Sequence, residues 1–112
     1  MLPRQQRLRF STDIQAVYAQ GVKSYHPFFR LLALPTKLVQ PRATVVVSKR
    51  VDKRAVVRNQ VKRRLRALLL RRLKLVRHPH DIVLLVQPKA AKATAAELGQ
   101  VLDALLNKLN LL

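Results

Sequence analysis

The sequence has 112 residues, 49% of them apolar, which is enough to build one core and one domain over 1–112. Lys and Arg number 23 against five Asp and Glu, a formal net charge of +18 that repels itself and calls for a polyanionic partner. Cysteine is absent and no apolar run approaches the roughly 20 residues of a membrane span, which excludes disulfides, thiolate metal sites and a membrane-spanning helix.

Residues 1–10 read as a basic, irregular lead-in. No apolar signal-peptide stretch follows the charged start, so a cytoplasmic protein is expected. Ser11 suits an N-cap and Asp13 suits the positive end of a helix dipole. Ile14, Val17 and Tyr18 then form a short apolar stripe, and Gly21 suits the position that stops a helix, predicting a helix over 11–20. A brief strand is expected near Val22–Tyr25. A second is expected over Phe28–Leu34, between Pro27 and Pro35. Residues 35–42, with two prolines, read as a loop. The β-branched run Thr44–Ser48 predicts a strand.

Residues 49–74 carry 12 of the 23 basic residues and a single acid, Asp52. From about Val56 the spacing is helical: Val57, Val61, Leu65 and Leu68 share one face. Arg58, Lys62 and Arg66 line a neighbouring one, with Asn59 and Arg63 beside them. Such a helix can pack and bind at once. His78-Pro79-His80 interrupts the pattern. The run Ile82–Val86 then reads as a strand buried on both faces. Thr94 and Glu97 match a capping box, ahead of an amphipathic helix with Leu98, Val101, Leu102, Leu105 and Leu109 on its apolar face. Two strands separated by a helical segment can pair in parallel, which predicts an α-β sandwich with helices against a small sheet.

The side chains for catalysis are missing from this pattern. Asp13, Asp52, Asp81, Glu97 and Asp103 are scattered, with no two spaced like a metal-binding pair. His78 and His80 sit in a Pro-containing turn that reads as solvated, and no metal is expected on the chain. Ser11, Ser24 and Ser48 have no His at a motif spacing, and the two glycines form no phosphate loop. No catalytic residue and no small-molecule substrate are expected. A reaction served by this chain would have its metal and most of its reacting groups elsewhere.

The segment Val45-Val46-Val47-Ser48-Lys49-Arg50-Val51, followed by Ala55-Val56-Val57-Arg58-Asn59-Gln60-Val61-Lys62-Arg63-Arg64-Leu65-Arg66, resembles the signature of the bacterial ribonuclease P protein. Arg7-Leu8-Arg9 with Asp13-Ile14 and Val17-Tyr18 is similar to that family's lead-in and first helix. Asp81–Val86 is similar to its "D-I-V-V-I-A" strand. Three positions depart from the pattern. Gln60 stands where a basic residue is usual, Ile14 where an aromatic is usual, and Asp52 where many members have glycine.

The resemblance implies an α-β-β-β-α-β-α order, a mixed sheet packed by helices, and a left-handed β-α-β crossover through the basic helix. It implies a ribonucleoprotein endonuclease whose RNA subunit removes the 5′ leader of precursor tRNA with Mg²⁺, bound mainly by that RNA. The implied contacts to the RNA subunit are Arg50, Lys53, Arg54, Arg58, Asn59, Lys62, Arg63 and Arg66. The implied leader cleft is lined by Ile14, Tyr18, Phe29 and Leu32, with Lys49 near it. For Tyr18 and Phe29 the competing reading is that they complete the core. The alternative function is a structural RNA-binding protein, such as a ribosomal protein or an RNA chaperone, which shares the charge and lacks an active site. A DNA-binding module and a membrane-active amphipathic peptide fit the pattern less well.

Overall fold

The structure, a computed structural model, describes residues 4–9 and 11–112; residues 1–3 and 10 of the expected lead-in lie outside the described residues. Arg4–Gln6 make one 3-10 turn. The chain then runs beside residue 43, with Arg7 bridging Ala43 in parallel and the Leu8 amide donating to the Ala43 carbonyl at 2.9 Å.

Helix α1 spans Ser11–Gln20, over the predicted range, and buries Val17. Gly21 ends it for lack of room: a Cβ there would collide with the Val17 carbonyl oxygen and lie 3.2 Å from that of Ala33. Its φ is not positive, so close approach rather than a left-handed backbone requires the glycine. Strands β1 (Val22–Tyr25), β2 (Phe29–Pro35) and β3 (Arg42–Val46) follow. Then come helix α2 (Ala55–Leu73), strand β4 (His80–Val86) and helix α3 (Ala95–Lys108). The element order is the expected α-β-β-β-α-β-α.

The sheet runs β1-β2-β4-β3. β1 with β2 and β2 with β4 are antiparallel, while β3 and β4 are parallel and joined through α2. The register explains where the boundaries move. Arg42 pairs with Asp81 and Pro35 with His80, so β3 begins two residues before the β-branched run and β4 two before the apolar one. A strand extends as far as its partner offers hydrogen bonds, and side-chain type alone does not report that.

Two cores follow from the pleat, because alternate side chains point to opposite faces. On one face Phe29, Leu31, Val45, Ile82 and Leu84 meet Val61, Leu65, Leu69 and Leu73 of α2 and Leu98, Leu102 and Leu106 of α3. On the other face Leu32 and Val83 meet Val17 of α1 and Leu8. α2 packs over β3, and α3 reaches β1. The central strand β4 is buried on both faces from Ile82 to Leu84, as its unbroken apolar run predicts. Each Leu fully buried from α2 contributes roughly 1.5–3 kcal/mol.

α3 begins on a complete capping box: the Glu97 amide donates to Thr94 Oγ1 at 3.2 Å, and the Thr94 amide donates to Glu97 Oε1 at 3.1 Å. The amide and hydroxyl of Thr94 hold the Glu97 carboxyl below its ordinary value. A carboxylate lowered in this way stabilises the fold above its unfolded value near 4.5, and the contribution is lost as pH falls through the folded value. Thr94→Ala is expected to cost about 1 kcal/mol in denaturant unfolding at pH 7. The variant is also expected to have a shallower loss of stability through the carboxylate range than the parent.

Ser24 is buried at 1% exposure with its Oγ unpartnered, opposite Leu31 on the α3 side of β1. Removing an unsatisfied hydroxyl relieves its desolvation cost. Ser24→Ala is therefore expected to raise the unfolding free energy by about 1 kcal/mol, read from the denaturant midpoint at unchanged slope.

Candidate nucleic-acid interface

The approach to α2 is a pinned turn. The Val51 amide donates to the Ser48 carbonyl at 3.0 Å and the Arg50 amide to Ser48 Oγ at 3.3 Å. Asp52 then accepts from the Arg54 amide at 2.8 Å and from both ends of the Arg54 guanidinium at 3.1 Å. These bonds from Arg54 hold the Asp52 carboxyl below its ordinary value. Arg58, one turn into the helix, donates to the carbonyls of Asp52 and Lys53 at 3.1 and 2.8 Å. The carboxylate at 52 does here what a flexible residue would do elsewhere: it fixes the turn.

α2 has no side-chain N-cap and no acid in its first turn. The positive end of its dipole therefore lies beside the pinned turn that carries Asp52, Lys53 and Arg54.

Further along, Asn59, Lys62, Arg63 and Arg66 surround one notch of about 400 Å³. They stand on the flank adjoining the buried stripe of Val61, Leu65, Leu69 and Leu73, with Lys62 and Arg66 half-buried and Asn59 and Arg63 exposed. Of the eight residues expected to meet an RNA partner, these four share a single surface. Arg54 and Arg58 are partly used to hold the turn, and Lys53 is exposed within it. Gln60 is exposed and does not line the notch, so the missing charge at that position falls outside it.

Basic residues in this run do not all serve the surface. Arg72 stands about three turns after Val61, which returns it to the buried side. Its guanidinium donates to Asp103 of α3 at 2.8 and 3.3 Å, to the Leu68 carbonyl at 2.9 Å and to the Gly99 carbonyl at 3.1 Å. A Cβ on Gly99 would come 2.8 Å from that guanidinium, so the glycine keeps its place open.

A second surface lies on the α1 side of the sheet. Asp13 of α1 takes the Arg42 Nη2 at 3.3 Å, and Arg42 forms a two-pronged pair with Asp81 at 2.9 and 2.7 Å. Asp81 is only 7% exposed. The hydrogen bond to Asp81, opposed by burial, raises the Arg42 pKa. Sequence spacing sets Asp13 and Asp81 far apart; the fold brings them to one guanidinium.

Ile14 and Tyr18 stand on the other flank of Val17 from Asp13, and Tyr18 is 39% exposed. The sheet beyond α1 is open there. Arg30 is exposed with its guanidinium carbon 5.7 Å over the Tyr25 ring, a cation–π contact. A hollow of about 190 Å³ is lined by Arg30, Val46, Ser48, Arg50 and Leu85 among others.

This geometry rearranges the expected cleft. Leu32 lies beneath α1 at 3% exposure, as floor rather than lining. Phe29 is fully buried in the other core, against α2 and α3, and an edge-on contact to Phe28 at 6.3 Å accompanies it. The pleat assigns it: 29 shares a face with Leu31, and 30 shares one with Leu32. Phe29 is thus a core residue and shares no surface with Tyr18. Lys49 is exposed, but Arg50 is the basic neighbour that lines the hollow. Arg30 was missed, although a lone charge inside an apolar strand marks the open face.

Among the described residues, no three His, Cys, Asp or Glu side chains gather as metal ligands, and no helix is long and apolar enough to cross a membrane. His80 Nδ1 lies 2.6 Å from the His78 carbonyl within their turn.

The separate roles of Arg72 and Arg66 are testable. Arg72→Ala is expected to lower unfolding free energy by about 2 kcal/mol, because Asp103 and two carbonyls lose a charged donor. Arg66→Ala is expected to change it by less than about 0.5 kcal/mol. Denaturant titration of the two variants checks the contrast.

Comparison with known proteins places this geometry. The family model described as Ribonuclease P matches residues 2–110. A ribonuclease P protein component from Pseudanabaena is 38% identical over 113 residues, covering 100% of this chain and 97% of that protein. One from Acidothermus cellulolyticus is 39% identical over 111 residues, covering 97% and 92%. In three dimensions the chain is similar to the RNase P protein of Staphylococcus aureus, with a TM-score of 0.83 at 22% identity over 95% of this chain and 96% of that one. The similarity extends to the RNase P protein of Thermotoga maritima, with a TM-score of 0.78 at 23% identity over 88% and 96%.

Proposed function

The chain belongs to the ribonuclease P protein family and is a subunit of that endoribonuclease, active in tRNA 5′-end processing with an RNA partner; from this premise we propose what each of its surfaces does. The α2 notch grips the RNA subunit. The surface between α1 and the open part of the sheet receives the 5′ leader of precursor tRNA.

One observation carries the reading: Asn59, Lys62, Arg63 and Arg66 converge on one surface notch, on a helix whose adjoining side is locked into the core. Three positive groups and an amide in a fixed frame suit phosphates and displaced counterions. Arg50, Lys53, Arg54 and Arg58 extend this surface along the turn that leads into the helix. The rigid backing matters, since a contact set held by buried neighbours loses little entropy on binding.

The leader surface combines apolar and stacking groups, Ile14, Tyr18 and Leu85, with the cations Arg30, Lys49 and Arg50, above the floor made by Leu32. Single-stranded RNA is held in this way with little sequence preference, which suits a leader that differs between substrates.

Bond cleavage belongs to the RNA partner in this proposal. The chain's own donors do not fit Mg²⁺. Asp13 and Asp81 embrace Arg42, Asp52 holds Arg54, Asp103 holds Arg72, and Glu97 closes a capping box. Mg²⁺ is thus assigned to the RNA. A cytoplasmic location accompanies the tRNA-processing role.

The test is reconstitution. The purified chain mixed with its RNA subunit is expected to restore removal of the leader from precursor tRNA, and the chain alone is expected to leave it intact. Cleavage by the chain alone would overturn the division of labour. Lys62→Ala and Arg63→Ala are each expected to lower the slope of log affinity for the RNA subunit against log salt by roughly 0.7–0.9. An unchanged slope removes that residue from the interface.

A further inference from the structure

Arg42 is met by two acids where one would serve. Asp81 takes its guanidinium with both carboxylate oxygens, at 2.9 and 2.7 Å, and the two side chains are only 14% and 9% exposed. That pair already matches one cation with one anion in a two-pronged geometry. Asp13 nevertheless brings a second carboxylate to the same guanidinium, at 3.3 Å, from a side chain that is 40% exposed. Neutrality of Arg42 does not require it. Its position does something else.

What this second contact can place is α1. The ends of the helix are located by the backbone. Shortly before it, the Leu8 amide donates to the Ala43 carbonyl at 2.9 Å, and after it a single residue, Gly21, leads into β1. Between those ends α1 rests on β2 and β4 through one fully buried side chain, Val17, with Ile14 partly covered beside it. A helix held at its ends and by one side chain has little to resist rolling about its own axis. Asp13 lies about 40° round the helix on one side of Val17, and Ile14 and Tyr18 lie about 60° and 100° round on the other. A roll that lifts Asp13 from Arg42 therefore lowers Tyr18 toward the sheet and narrows the surface between them. Arg42 cannot follow, because Asp81 of β4 holds it in place.

We propose that Asp13 is a positioning residue for the 5′ leader: its bond to Arg42 sets the roll of α1 and so the distance of Tyr18 from the open sheet. This role rests on the leader surface proposed above. Charge and position make opposite demands at residue 13. Removing a carboxylate beside a surface that takes an anion strengthens binding on charge alone. Releasing the helix weakens it.

Two substitutions in the full chain, Asp13→Ala and Asp13→Asn, make the same change of charge and remove the same first-turn acid, but only Asn keeps an oxygen that can accept from Arg42. The Arg42–Asp81 pair stays intact in both, so both are expected to fold, with denaturant midpoints near the parent's. Holoenzyme is reconstituted at saturating protein, and affinity is measured for precursor tRNA with its leader and for mature tRNA without one. The ratio of the two isolates the leader. Asp13→Ala is expected to lower that ratio roughly threefold, the scale of a partly exposed ion pair, with mature tRNA affinity unchanged. Asp13→Asn is expected to hold the ratio closer to the parent's, although Asn is the poorer helix former. Tyr18→Ala, measured alongside, is expected to lower the ratio as well. A raised or unchanged ratio in Asp13→Ala, or equal losses in the two Asp13 variants, overturns the positioning role while a loss in Tyr18→Ala keeps the leader surface. No loss in Tyr18→Ala overturns the leader surface and the positioning role with it.

Discussion

Eighteen net positive charges on 112 residues set the constraint under which this fold exists, and the five carboxylates are where it is met. None of them is idle. Asp13 and Asp81 converge on Arg42, which joins α1, β3 and β4 at one end of the sheet. Asp103 ties α3 to Arg72 of α2. Asp52 fixes the turn into α2, and Glu97 fixes the start of α3. The Arg42–Asp81 pair is the most deeply placed. An ion pair withdrawn from water adds little net stability, but losing either partner strands the other. Its value here is in fixing α1 across the sheet, so that Ile14 and Tyr18 face the open part.

α2 has to satisfy two opposed demands. Its buried residues recur at every fourth position from Val61 to Leu73, and its exposed side is too charged to help the helix persist alone. Packing holds it in place, and the same packing orients Asn59, Lys62, Arg63 and Arg66. Removing repulsion by deleting cations would stabilise the helix and erase the proposed interface, a conflict expected where stability and binding draw on the same residues.

Much of this was legible in the residues. The capping box at Thr94, the apolar stripe of α2 and the unbroken run of β4 each have a local physical cause, and local causes are visible in order along the chain. What depended on partners was not. β3 starts at Arg42 because Asp81 lies opposite, and nothing in Arg42-Ala43 announces this. Asp13 and Asp81 become neighbours only through the sheet. Arg72 and Arg66 look alike in a basic run until the facing helix shows which one meets Asp103. Phe29 is the instructive case. The family resemblance put it in the leader cleft, whereas the charge of Arg30 beside it marks the opposite parity as the open face.

The strand order carries one consequence for how the chain is made. β2 and β3 are consecutive in sequence but not neighbours in space; the gap between them is the berth of β4, which is separated from β3 by the whole of α2. A ribosome that has delivered everything up to α2 has therefore produced two hairpin strands, a stray third and a cationic helix with no sheet to lie on. Closure waits for His80–Val86 to slide between two unsatisfied edges, so the nascent chain stays open until its final third emerges.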